Sequence, residues 1–311
     1  MYKQAIIDAH TRIKPFIYQT PILTSTLINE MVGAKLFFKC ENFQKMGAFK
    51  MRGATNAVIL LTDEQKKRGV VTHSSGNFAQ ALSLAAKNQN IDAYIVMPYN
   101  APQVKKDAVK GYNGKIIECE PTLAAREETA KQIEEEKGAT FIHPSNDINV
   151  IIGQGTAAKE LLEIYPELDS IFTPVGGGGL IAGTAIAAEN FGTNCKIIGG
   201  EPFEVDDAYR SLQSGKLESN ITTNTIADGL RTALGDVNFP IIQKGVEKII
   251  RVTEEEIISA MKLIWERLKI VCELSSAVAL AALIKEKEFY KNTQVGIIIS
   301  GGNVNLDTLP F

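Results

Sequence analysis

The stretch that decides the fold is Ser170–Asn190, SIFTPVGGGGLIAGTAIAAEN, in which four consecutive glycines join a β-rich run to an alanine-rich helix. A tight strand-to-helix turn seldom needs more than one or two glycines, because each costs about 0.5–1 kcal/mol in ordered structure. Four glycines favour an alternative use, in which backbone N–H groups and the positive end of the helix dipole approach an anion. The stretch predicts a compact phosphate site. No nucleotide-binding motif accompanies it.

The same strand-then-helix order continues on both sides of this stretch. Short β-rich runs alternate with helical stretches from residue 69 onward, which is typical of right-handed βαβ units on a parallel sheet. We therefore predict an α/β fold with a large, parallel-rich twisted sheet. The predicted strands are GVVTHSS, AYIVMP, KIIECE, ATFIHP, SIFTPV, CKIIGGEP and TQVGIIIS, and the helices begin near Phe78, Ala101, Leu123, Ile151, Leu180 and Ser276. Capping boxes at Thr62/Gln65 and Thr253/Glu256 predict two more helices.

No internal repeat or Pro/Ser-rich linker divides the chain. A second domain would therefore be an insertion in the first. We predict a small α/β domain over residues 73–142, inserted in a large domain made of residues 1–72 and 143–311.

Composition excludes several functional classes. The 33 basic and 36 acidic side chains give a net charge of -3, without the basic excess that nucleic-acid binding uses. The longest apolar runs, such as Leu180–Ala188, are far shorter than the ~20 residues of a membrane span. The N-terminal residues form an amphipathic pattern without the features of a signal peptide, so the cytoplasm is the expected compartment. Four separated cysteines and three histidines lack metal-ligand spacing, which indicates core thiols and no transition metal.

Lys50 is the candidate reactive amine. It lies in ENFQKMGAFKMRGA between Phe49 and Met51, with a glycine three residues to either side. An amine among apolar groups loses hydration, so its pKa falls and it becomes a usable nucleophile or base near neutral pH. A solvated surface lysine, or Lys45 as the reactive amine, is the alternative interpretation.

Two polar turns follow predicted strands. Ser74-Ser75-Gly76-Asn77 precedes a helix and offers hydroxyl, amide and N–H groups to a carboxylate, although an ordinary N-cap is the alternative. Ser300-Gly301-Gly302-Asn303 follows the apolar strand ending at Ile299. Ligands of open α/β sheets gather at the carboxyl ends of strands, where both turns would lie.

Taken together and in this order, the four motifs resemble those of the fold-type II pyridoxal-phosphate (PLP) enzymes, specifically the serine and threonine dehydratase and serine racemase group. Gly153-Gln154-Gly155-Thr156 and Thr225-Ile226-Ala227-Asp228-Gly229 extend the resemblance over nearly the whole chain. It implies a fold like that of the tryptophan synthase β subunit.

The resemblance also implies how a cofactor would be held. Lys50 would bind PLP as a Schiff base, Phe49 would pack on its ring, and Asn77 would contact the ring hydroxyl. Ser300 would face the pyridine nitrogen, as a neutral partner that suits elimination better than transamination. The full set of implied cofactor residues is Phe49, Lys50, Asn77, Gly176, Gly177, Gly178, Gly179, Leu180, Glu273, Ser300 and Gly301.

Catalytic and substrate roles follow from the same resemblance. Lys50 would take the α-proton of an amino acid, and Ser75 would act as the second acid or base on the opposite ring face in a racemase. Ser74, Ser75 and Asn77 would bind the substrate carboxylate, and Arg126 and Thr232 match further positions that face the substrate. For Arg126, on a glutamate-rich helix, an ordinary i,i+4 surface pair is the alternative.

A divalent-ion site is a further implication. Glu201, Val205 and Asp207 match the group's site after the strand that ends in Glu-Pro, and Mg²⁺ or Ca²⁺ prefers such oxygen ligands. An exposed acidic turn is the alternative.

Two departures from the group's pattern leave the substrate open: Phe78 replaces a histidine, and Leu274 replaces a proline. The leading hypothesis is an ammonia-lyase (dehydratase) that acts on L-threonine, L-serine or a relative such as 3-hydroxyaspartate. Serine or other amino-acid racemisation is the nearest alternative, followed by β-replacement. A non-catalytic phosphate-binding regulator would need no Lys50. The resemblance also implies a homodimer.

Overall fold

The computed structural model describes residues 2–311, and the strands in this range form two sheets. The strands are β1 Ile22–Leu23, β2 Lys35–Cys40, β3 Val70–His73, β4 Ala93–Pro98, β5 Lys115–Cys119, β6 Thr140–Phe141, β7 Ser170–Pro174, β8 Lys196–Pro202, β9 Lys248–Val252 and β10 Gln294–Ile299.

Helices separate most of the strands, as the alternating pattern predicts. They are α1 Tyr2–Ile13, α2 Thr26–Val32, α3 Lys50–Ile59, α4 Asp63–Arg68, α5 Asn77–Asn88, α6 Gln103–Gly111, α7 Leu123–Lys137, α8 Ile148–Ile164, α9 Gly179–Phe191, α10 Asp207–Ser214, α11 Phe239–Gly245, α12 Glu254–Leu268 and α13 Leu274–Lys285. None of these helices is both long and apolar enough to cross a bilayer.

The larger sheet has six strands in the order β1-β2-β10-β7-β8-β9. All neighbours in it are parallel except β1, which pairs with β2 in the antiparallel sense. Every residue of β7 is buried because helices cover both faces, which is the usual environment of a parallel sheet. The predicted α/β fold class is confirmed.

The smaller sheet is fully parallel, in the order β5-β4-β3-β6, and its strands lie between Val70 and Phe141. Its core also draws on α3, since Met51 and Ala54 belong to the same buried cluster as Ala79 and Leu82 of α5. The division into domains at residues 73 and 142 stays a prediction.

Local capping explains where the helices begin. Both predicted capping boxes are present, at Thr62/Gln65 and Thr253/Glu256. α8 begins three residues before the predicted Ile151, because the Asp147 side chain accepts hydrogen bonds from the N–H groups of Asn149 and Val150.

The cysteines only partly match the predicted core thiols. All four are free, but just Cys40 and Cys272 are buried, while Cys119 and Cys195 are half-exposed.

Candidate active site

The site lies where three neighbouring strands end. β2, β10 and β7 are adjacent, and they lead respectively into the loop before Lys50, the Ser300-Gly301 turn and the glycine loop. The Phe49 N–H donates to the Ser300 carbonyl at 2.9 Å, and Ala48 pairs with Gly301. These contacts hold the start of α3 against the end of β10.

Lys50 is the first residue of α3. Its Nζ donates to the Pro144 carbonyl at 2.7 Å and lies 5.0 Å from the Phe49 ring centroid and 5.7 Å from that of Phe78. Burial among these groups lowers the pKa of Lys50 to about 7. Phe78, which departs from the family pattern, is therefore part of the apolar surroundings that lower the pKa of this amine.

Lys45 does not share this environment. Its Nζ lies 5.2 Å from the centroid of the Tyr18 ring. This geometry disagrees with two alternatives: that Lys45 is the reactive amine, and that Lys50 is a solvated surface group.

A buried ion-pair network anchors the first turn of α3 and was missed in the sequence. Arg52 donates to both carboxylate oxygens of Glu41, at 2.7 and 2.8 Å, and to both of Glu160, at the same two distances. Lys39 Nζ also contacts Glu160, at 2.6 Å, so two cations balance two carboxylates. A paired guanidinium at this position fixes the helix that carries Lys50.

Neighbouring residues pack closely against the glycine loop. Gly178 has φ of +78°, and a Cβ there would lie 2.5 Å from Leu234. A Cβ on Gly177 would lie 2.3 Å from Ser145 Oγ, so this backbone can approach its neighbours only without a side chain. Asn238 Nδ2 holds the loop by donating to the Gly177 carbonyl at 2.8 Å. The first N–H groups of α9 lack intrahelical acceptors and can bind an anion.

The segment after β6 connects the amine to the glycine loop. Pro144 accepts the Lys50 hydrogen bond, and Ser145 next to it packs on Gly177 and Gly179. His143 Nδ1 accepts hydrogen bonds from the N–H groups of Ser145 and Asn146, at 3.1 and 2.8 Å. Burial lowers the pKa of His143 to about 4, so the ring is neutral and serves as the acceptor that shapes this turn.

The serine turn leads from β3 into α5. Ser74 Oγ accepts a hydrogen bond from Gly76 N at 3.4 Å, and Ser75 is half-buried. The N-cap residue of α5 is Gly76, with no side-chain cap, so the alternative of an ordinary serine N-cap is wrong.

Asn77 connects the serine turn to the larger sheet. Its Nδ2 donates to Glu273 at 2.8 Å, and its Oδ1 accepts from Asn303 Nδ2 at 2.9 Å. Glu273 is buried, and burial raises its pKa to about 7. Asn77, Glu273 and Asn303 therefore form one polar cluster beside the Ser300-Gly301 turn.

The comparisons with known proteins agree with this geometry. Residues 13–301 match the model of a family described as "Pyridoxal-phosphate dependent enzyme". The chain belongs to this family.

Three relatives define the chain's place among these PLP-dependent enzymes. It is 50% identical to the beta-hydroxyaspartate dehydratase of Paracoccus denitrificans, over 98% of this chain and 97% of the relative. The crystal structure of serine racemase from Dictyostelium discoideum superposes with a TM-score of 0.94 at 51% identity, covering 98% of this chain and 99% of that one. The crystal structure of the T.th. threonine deaminase superposes with a TM-score of 0.92 at 37% identity, covering 97% and 98%. The chain is a fold-type II member.

The site fits the cofactor that gives this family its name. A half-buried amine with a lowered pKa lies beside a loop in which an added Cβ would collide with neighbouring atoms. An aldehyde can condense with the neutral amine, and a phosphate suits the N-terminus of α9.

Thr232 and Arg126, which match positions that face the substrate in related PLP enzymes, differ in their exposure to solvent. Thr232 is exposed, and its Oγ1 lies 3.1 Å from the position of a Cβ on Gly177. Arg126 is half-buried on α7, and its charge contributes to lowering the pKa of His73, after the larger effect of burial. Its buried Nε has no hydrogen-bond partner, and it forms no ion pair within residues 2–311. The i,i+4 pair considered for Arg126 is therefore not observed.

The three residues matched to the family's divalent-ion site are all fully buried, so the alternative of an exposed acidic turn is wrong. Glu201 accepts from the N–H groups of Ala208 and Tyr209, at 3.0 and 2.8 Å. Asp207 accepts from Leu234 N at 2.8 Å through Oδ2, while its Oδ1 has no partner among the described residues.

The charge of this acidic pair is unfavourable without a cation. Burial, followed by the neighbouring Asp207 charge, raises the pKa of Glu201 well above its usual range, and burial raises that of Asp207 to about 6. Residues 2–311 contain no cluster of three or more His, Cys, Asp or Glu side chains suited to a metal. Any ion here would need backbone oxygens as additional ligands.

Proposed function

We propose that the chain is a PLP-dependent ammonia-lyase that converts a β-hydroxy amino acid into a 2-keto acid and ammonia by α,β-elimination. The observation that carries the proposal is the Lys50 amine, held on the Pro144 carbonyl with a pKa of about 7 beside the glycine loop. The substrates are L-threonine, L-serine or 3-hydroxyaspartate, since the relatives include a beta-hydroxyaspartate dehydratase and a threonine deaminase.

The residues that would hold the cofactor surround this amine. Gly176–Gly179 and Leu180 would bind its phosphate, Phe49 would pack on its ring, and Ser300 would face its ring nitrogen. Asn77, Glu273 and Gly301 would complete the site around the ring. When bound, PLP supplies an electron sink for the negative charge left at the substrate α-carbon.

Lys50 would also serve as the base. An amine with a pKa near 7 is about half unprotonated at neutral pH, so it can accept the substrate α-proton. The Pro144 carbonyl accepts a hydrogen bond from the amine at 2.7 Å and orients it. The buried pairs of Arg52 with Glu41 and Glu160 would keep this geometry fixed by holding the first turn of α3.

Racemisation is the second candidate function, supported by the similarity to serine racemase. Here Ser75 would exchange a proton with the α-carbon on the side opposite Lys50. Elimination and racemisation share the removal of the α-proton, so they differ in whether the β-hydroxyl leaves before reprotonation.

Substrate recognition would involve the serine turn and Arg126. Ser74, Ser75 and Asn77 would bind the α-carboxylate, with Thr232 on the side of the glycine loop. Arg126 has a buried Nε without a partner among residues 2–311, so its guanidinium is available for a second carboxylate. This feature favours 3-hydroxyaspartate over serine.

Three finer features belong to the same proposal. Mg²⁺ or Ca²⁺ would bind Glu201, Asp207 and the Val205 carbonyl, which would relieve the repulsion between the two buried carboxylates. A homodimer follows from the family resemblance. The cytoplasm as the compartment, and a small inserted α/β domain over residues 73–142, remain predictions from the sequence pattern.

Product analysis of the holoenzyme tests the function. It would be incubated separately with L- and D-serine, L-threonine and each stereoisomer of 3-hydroxyaspartate, and keto acid, ammonia and enantiomers would be measured together. We expect keto acid and ammonia in equal amounts from at least one of these substrates. Inversion without keto acid would establish the racemase instead, and no product from any substrate would contradict both functions.

Three variants test the separate roles of Ser74, Ser75 and Arg126. Ser75→Ala should abolish racemisation, with Ser74→Ala as the matched control that keeps the second acid or base. Arg126→Lys should lower kcat/KM for 3-hydroxyaspartate at least tenfold more than for L-serine, because lysine lacks the bidentate geometry. Equal losses for both substrates would exclude Arg126 from recognising a second carboxylate.

A further inference from the structure

Asn238 is the N-cap residue of α11, yet its side chain does not cap that helix. Asparagine is a preferred N-cap residue because its side-chain oxygen can accept from N–H groups of the first helical turn. Here the side chain is fully buried and binds three other groups. Its Nδ2 donates to the carbonyls of Gly177 and Ser145, at 2.8 and 3.1 Å, and its Oδ1 accepts from Gly235 N at 3.2 Å.

These three partners determine the orientation of the Asn238 amide. Carbonyl oxygens can only accept, so the two Nδ2 protons must point to Gly177 and Ser145, and the Oδ1 atom must face the Gly235 N–H. A flipped amide would place its oxygen against two carbonyl oxygens and its NH₂ group against an N–H. Three buried hydrogen bonds would be lost while the desolvation penalty remained.

The hydrogen bond to the Gly177 carbonyl also orients the N–H of the same peptide group, which belongs to Gly178. All peptide bonds within residues 2–311 are trans, so this C=O and N–H point in opposite directions. The Gly178 N–H therefore points away from Asn238. The N–H groups of Gly176, Gly177 and Gly178 donate to no acceptor within residues 2–311, although these glycines are buried. Buried N–H groups are normally paired, so this side of the loop suits a bound acceptor.

The peptide between Gly177 and Gly178 needs such a restraint because neither residue has a Cβ to limit its rotation. A rotated peptide would turn the Gly177 carbonyl oxygen, instead of the Gly178 N–H, toward a bound anion. We infer that Asn238 is a positioning residue for the cofactor phosphate, because it holds this peptide with the Gly178 N–H facing the anion site. The inference rests on the proposed PLP function.

Binding of PLP and of pyridoxal, which lacks the phosphate, separates this role from a purely structural one. Both aldehydes can form a Schiff base with Lys50, and its absorbance reports binding. Asn238→Leu keeps the branching of the side chain and removes its hydrogen bonds. The Kd of PLP should rise about tenfold or more, while the Kd of pyridoxal stays unchanged. The turn at Ser145 should persist, because His143 Nδ1 accepts from the Ser145 N–H independently of Asn238.

Asn146→Ala is the matched control. The Asn146 side chain binds the same segment of chain, since it accepts from Val237 N at 2.9 Å and donates to Asp236 at 2.8 Å. Its removal leaves the Gly177 carbonyl bound to Asn238, so the ratio of the two Kd values should equal that of the wild type. In Asn238→Leu, an equal rise in both Kd values, or no rise for PLP, would overturn the inference.

Amide NMR of the wild type tests the same orientation if Asn238→Leu does not fold. An amide proton that donates to a phosphate moves downfield, so the Gly178 amide proton should resonate further downfield with PLP than with pyridoxal. The same shift with both ligands would overturn the inference. Failure of the wild-type protein to bind PLP would instead refute the proposed function.

Discussion

Replacing Lys50 with methionine should stabilise the cofactor-free protein, although it removes the proposed catalytic amine. Burial lowers the Lys50 pKa from 10.5 to about 7. That difference corresponds to roughly 5 kcal/mol, of which the hydrogen bond to Pro144 offsets about 1 kcal/mol. Because Lys50 is only half-buried, solvent screening reduces the figure further. We expect Lys50→Met to raise the free energy of unfolding by about 2–4 kcal/mol at pH 6.

The pH dependence of this gain has a definite sign. Between pH 7 and 10.5 the unfolded state binds a proton on Lys50 that the folded state does not, so the stability of the wild type rises with pH in this window. The advantage of Lys50→Met should be complete below pH 7 and should vanish near pH 10. Other titrating groups are common to both proteins and cancel in the difference.

Urea unfolding at several pH values between 6 and 10 measures this difference directly. Lys45→Met is the control, because it removes the lysine over Tyr18, outside the site. A Lys50→Met protein that is less stable than the wild type at pH 6, or a difference independent of pH, would refute the argument that burial lowers the Lys50 pKa.

Three further perturbations test other parts of the site. Gly178→Ala should weaken PLP binding at least tenfold, because φ is +78° and the added Cβ would lie 2.5 Å from Leu234; Gly215→Ala, with φ of +72° but no atom nearer than 3.5 Å, is the control in a fluorescence titration. Equal affinity in both variants would contradict a cofactor cradle. Glu273 has a pKa raised from 4.5 to about 7, so its contribution to stability is present below pH 4.5 and lost as the pH rises through 7. Glu273→Gln should therefore reduce the dependence of the free energy of unfolding on pH between 4.5 and 7, as measured by urea unfolding. The same pH dependence in the variant and the wild type would exclude Glu273 as its source. Mg²⁺ or Ca²⁺ should raise the Tm of the wild type but not of Asp207→Asn, and equal shifts would place the ion elsewhere.

The strands and the helix order could be predicted because their signals are local. β4 coincides with the predicted AYIVMP run, and α7 begins at the predicted Leu123. Apolar runs bounded by glycine, proline or polar turns carry this information within a few residues. β2 and β9 were missed, since the predicted alternation begins at residue 69 and omits the run that ends at Val252.

The site was predicted in its motifs but not in its supporting contacts. Pro144 lies 94 residues after Lys50 and binds its amine through a backbone carbonyl. Any residue has such a carbonyl, so the sequence does not indicate this contact. Asn238, 61 residues from Gly177, binds the glycine loop through the Gly177 carbonyl. The Arg52 pairs likewise depend on how α3 packs against α8. Contacts of this kind follow from tertiary packing and leave no periodic pattern in the sequence.

Reductive labelling tests the central claim most directly. The protein would be incubated with PLP, reduced with borohydride and digested, and the modified peptide would be identified by mass spectrometry. We expect one equivalent of the cofactor on Lys50, and none in Lys50→Met. Labelling of Lys45 or any other lysine at the same stoichiometry, or no labelling at all, would contradict the assignment of Lys50 as the cofactor-binding amine.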